Sequence, residues 1–97
     1  MYVFQFGFES PSQRAANTAR GWDDESSGWV IINASDEASA IAWGREIAER
    51  FVAHIDAGVS WKEGNYAHWV DPLERCPWAT DRDAIAVGQI PDFTRWT

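Results

Sequence analysis

The chain has 97 residues, a formal net charge of −7, and 45% hydrophobic against 24% charged residues. That length supports one core and one small domain over residues 1–97, and the composition argues against a disordered or fibrous chain. The acidic balance opposes the counterion release by which cationic proteins hold nucleic acid, and opposes anionic membrane surfaces equally; it favours a basic protein partner.

Residues 2–9 alternate, with Tyr2, Phe4, Phe6 and Phe8 on one face and Val3, Gln5, Gly7 and Glu9 on the other. Period two with aromatics predicts a half-buried strand. Residues 10–27 turn polar. A short helix over 13–20 is weakened by Asn17 and Thr18, and an acidic loop follows: Trp22, Asp23, Asp24 and Glu25, between Gly21 and Ser26. Residues 29–34, Trp-Val-Ile-Ile-Asn-Ala, read as a central strand apolar on both faces.

Ser35 supplies an N-cap, and Asp36 and Glu37 suit the positive end of a helix dipole. The helix runs to residue 55 or 56, with Ile41, Gly44, Ala48, Phe51 and Ile55 on one face and Arg45, Glu46, Glu49 and Arg50 opposite. Gly44 on the apolar face predicts a close approach of helix to sheet, and Gly58 marks the stop. A third strand is predicted over 65–70, ended by Asp71 and Pro72, then an irregular stretch to residue 82, and a fourth strand over 84–90, ended by Pro91. The order β-β-α-β-β predicts a two-layer α+β sandwich: a four-stranded, mainly antiparallel sheet with one long helix on one face. The aromatic set of the first strand meets the helix; Val3, Trp29 and Ile31 take the open face. Either the loops 10–27 and 73–82 fold over that face, or it is an interface.

No residue pattern points to catalysis, metal or a cofactor. Cys76 is the one cysteine, so no intramolecular disulfide forms and nothing implies an oxidising compartment. It has no glycine-rich turn or helix start around it to activate a thiolate. His54, His68, Cys76, Asp71 and Glu74 lack the close ligand pairs of a zinc site. Asp23, Asp24 and Glu25 lack the alternating ligands of a calcium loop. The seven glycines form no phosphate-cradling motif. Without a basic leader region or a long apolar run, cytoplasmic residence is the expectation.

Two regions stand out for binding. Seven tryptophans exceed what a core of this size holds. Trp22 and Trp29 flank Asp23, Asp24 and Glu25, joining aromatic anchors to carboxylates that pair with arginine or lysine. Trp61, Asn65, Tyr66, His68 and Trp69 are the candidates for a small-ligand pocket. The expected function is a non-catalytic protein-binding module, an acidic inhibitor of a basic protein. Immunity proteins and antitoxins share this physical profile, although no motif of theirs is present. The alternatives are a small homodimeric domain and a ligand-binding or enzyme domain using residues 61–69.

Overall fold

A computed structural model of the chain describes residues 1–21, 26–64, 66–79 and 82–95. The elements run β1 (Tyr2–Phe8), α1 (Pro11–Ala19), β2 (Ser26–Asn33), α2 (Glu37–Ile55), β3 (His68–Pro72) and β4 (Ile85–Ala86), with 3-10 turns at Leu73–Arg75 and Phe93–Arg95. The sheet order is β3-β1-β2-β4. β1 pairs antiparallel with β2 and with β3, whereas β2 pairs parallel with β4. The result is the predicted two-layer α+β architecture, with a mixed, mostly antiparallel sheet.

The structure differs from the sequence reading at several points. The short helix predicted over 13–20 is present as α1 but starts earlier, at Pro11, where Asp56 caps it from a distance. The Ser12 amide donates to Asp56 Oδ2 at 3.0 Å, and the Ser12 hydroxyl donates to the other carboxylate oxygen. Asn17 faces inward and donates to Ser26 Oγ at 2.8 Å, tying α1 to β2. The third strand is shifted along the chain, starting at His68 after a turn at Trp61–Gly64 and taking in Asp71 and Pro72, which were expected to end it but pair with Val3 and Tyr2 of β1. The fourth strand shrinks to Ile85–Ala86 because a turn at 87–88 breaks it, with Gly88 at φ 94° and the Gln89 amide donating to Ala86 O.

The helix side holds the main core. Phe4, Phe6 and Phe8 from β1 and Val30 and Ile32 from β2 meet Ile47, Ala48, Phe51 and Val52 of α2, closed by Trp61, Ile85 and Phe93. Each of these large side chains contributes roughly 1.5–3 kcal/mol by leaving water. Gly44 presses its backbone onto the Phe4 ring, so that a Cβ there would overlap Phe4 Cγ. Asp36, not Ser35, is the N-cap of α2: its carboxylate accepts from Ser39 N at 2.7 Å. That hydrogen bond holds the Asp36 carboxyl below the ordinary carboxylate range.

A second, smaller core lies on the opposite face of the sheet. Val3 and Ile31 are covered there by Cys76 and Ala79, with Trp29 and Leu73 packed alongside. The stretch after β3 therefore folds back over part of the open face, which was one of the two predicted fates of that face. The Cys76 thiol is buried and its pKa is raised, first by desolvation and second by the nearby Asp71 carboxylate. Both properties suppress thiolate chemistry.

Candidate functional site

Where the covering segment stops, the sheet face opposite α2 remains partly bare, and its residues follow from strand register. β1 residue Gln5 lies opposite Trp29 on β2 and opposite Trp69 on β3. Side chains at directly opposed positions share a face, so Trp29, Gln5 and Trp69 form one cross-strand row. Two strand spacings of about 4.8 Å separate its ends by about 10 Å. The next row is Ile31, Val3 and Asp71.

Hydrogen bonds and ring contacts fix the row. The Trp69 indole Nε1–H donates to Gln5 Oε1 at 2.6 Å. Trp78, from the segment after β3, meets Trp29 edge to face, with centroids 5.2 Å apart and planes at 83°. The Arg82 guanidinium lies 4.4 Å from the centroid of the Trp29 ring and donates through Nη1 to Trp29 O. This pairing is a cation–π contact worth about 0.5–2 kcal/mol. Trp69 and Trp78 keep 46% and 47% of their surface in water. Two indoles, ordered but half exposed, are poor contributors to folding and good contributors to an interface, where they add area at low entropic cost.

The predicted binding residues divide. Trp22, Asp23, Asp24 and Glu25 lie outside the described residues, as does Asn65. Trp29 sits on the open face, in contact with Trp78 and Arg82. Of the remaining pocket candidates, Trp61 and His68 come into edge-on ring contact and Tyr66 packs against the same core, whereas Trp69 does not join them. Trp61 is buried in the main core and donates its Nε1–H to Gly7 O at 2.7 Å. Tyr66 bridges to Glu9 O at 3.1 Å. His68 lies against Phe4 and Trp61, with centroids 5.6 Å from each. Trp69 points to the other side of the sheet, by the alternation of β3.

Sequence reasoning missed Gln5, Trp78 and Arg82. Gln5 carried a signal, as the polar residue on the outer face of β1 level with Trp29. Trp78 and Arg82 carried none, because they arrive from an irregular segment whose path no periodicity encodes. Among the described residues, no group of three or more His, Cys, Asp or Glu side chains is placed to hold a metal ion. No helix among them is long and apolar enough to cross a membrane. Comparison with known proteins finds no matching family model, no matching curated protein and no matching solved structure.

Proposed function

We propose that the chain is a non-catalytic, cytosolic protein-binding module that docks on a basic partner through the sheet face opposite α2. The observation that supports this reading is the pair of ordered, half-exposed indoles, Trp69 and Trp78, beside Trp29 on one sheet face of a chain carrying a net −7. The indoles supply anchor area, and the negative field supplies steering and discrimination against acidic surfaces. Inhibition of a cationic target by steric cover is the simplest activity for such a module. The acidic residues Asp23, Asp24 and Glu25 contribute to the same steering in this reading.

The experiment is affinity capture with the tagged full chain at low and high salt, repeated with Trp69→Ala/Trp78→Ala. The expected result is a basic protein retained at low salt, weakened by high salt and lost with the double variant. A basic protein retained equally by the double variant would refute the face. Capture of nothing, together with a dimer mass that persists on dilution, would favour the homodimer.

A further inference from the structure

The two ends of the Trp29–Gln5–Trp69 row differ in one respect. At the Trp29 end the chain places its own guanidinium, from Arg82, over the indole at 4.4 Å. At the Trp69 end the indole is 46% exposed and is held in place by its hydrogen bond to Gln5. Asp71 stands two residues further along β3, on the same face, roughly 7 Å away by strand rise. It has no hydrogen-bond or ion-pair partner among the described residues.

From this juxtaposition we infer that Trp69 and Asp71 form an arginine-accepting slot. A guanidinium from the basic partner stacks on the Trp69 indole and pairs with the Asp71 carboxylate, as Arg82 stacks on Trp29 at the other end of the row. This inference rests on the proposed binding face and names what that face reads. A planar guanidinium suits the slot better than an ammonium, because it stacks on an aromatic ring while its N–H fork engages a carboxylate. Nucleic-acid bases also stack on indoles, but their phosphates would meet Asp71 and the net negative field. The Gln5 hydrogen bond pre-orients the ring, so little rotamer freedom is lost on binding.

The test titrates an acetylated Gly-Arg-Gly-Arg-Gly peptide into full-length protein carrying ¹⁵N-labelled indoles, with the Trp69 signal assigned from Trp69→Phe. The comparison peptide replaces arginine by citrulline, which keeps the shape and loses the charge. The expected result is a saturable shift of the Trp69 indole signal, with the citrulline peptide about tenfold weaker. Asp71→Asn removes most of that difference. Equal binding of the two peptides, or shifts that spare Trp69, would overturn the slot. If the slot fails while a captured basic protein is still lost on Trp78→Ala, only the slot falls and the binding face stands. If the peptide fails and no protein is captured, the face falls with it.

Discussion

Gly44→Ala separates two opposing effects whose sizes follow from the structure. In an isolated helix the change is favourable by about 1 kcal/mol, since alanine orders at lower entropic cost than glycine. Here the new Cβ would lie 2.7 Å from Phe4 Cδ1 and closer still to Cγ and Cδ2. Phe4 has no room to retreat: it is fully buried, with its ring centroid 6.0 Å from that of Phe6 and 5.6 Å from that of His68. Overpacking of this kind costs about 1–3 kcal/mol, and an overlap with ring atoms belongs at the upper end. The net is a loss of about 2 kcal/mol, which for a domain of this size lowers Tm by roughly 10 °C. Thermal unfolding followed by circular dichroism measures it. The same change in a Phe4→Leu background should cost less, because the two sites share one volume. A Tm that stays level or rises would refute the close approach, since helix propensity alone would then account for the variant.

Three further outcomes follow from the same structure. Trp61→Phe leaves the buried Gly7 carbonyl without its donor and should cost about 2 kcal/mol, read as a lower urea midpoint at unchanged slope; an unmoved midpoint would contradict the bond. The carboxyls of Asp36, Glu46 and Asp56 are held below their ordinary values, chiefly by hydrogen bonds from Ser39, Lys62 and Ser12 respectively. Depressed values mean that their contribution is present above the unfolded value of about 4 and is lost as pH falls through the folded ones. Tm should thus hold steady down to about pH 5 and decline below about pH 4. Asp36→Ala should lower Tm at neutral pH and flatten that acid decline; an unchanged decline would count against the cap. Cys76, buried and with a raised pKa, should alkylate far more slowly in native protein than in urea, and labelling at the unfolded rate would show that the covering segment does not stay in place.

The main architecture was legible because it rests on local periodicity. The alternation of β1 correctly sent Phe4, Phe6 and Phe8 to the helix and Val3 to the other face. The apolar run of β2 marked a strand with something packed on both sides, and Ile31 and Ile32 are buried in different cores. Gly44 on the apolar face of α2 signalled the close contact with Phe4. What escaped is long-range. The start of α1 depends on Asp56, 44 residues from Ser12, and no local propensity contains that cap. The parallel β2–β4 pairing depends on where an irregular segment returns the chain. The same holds for the candidate site: Trp29 was identifiable from its strand and Trp69 from its composition, but the row that joins them requires β1 to lie between β2 and β3. Trp78 and Arg82 join Trp29 only through long-range contacts that no local pattern encodes.

Hydroxyl-radical footprinting of the captured complex tests the proposed binding face most directly, because Trp69 and Trp78 are both half exposed in the free chain. Both indoles are expected to become protected in the complex, while the outward residues Arg45 and Arg50 of α2 label as in the free protein. Protection confined to α2, with Trp69 and Trp78 oxidised as before, would contradict it.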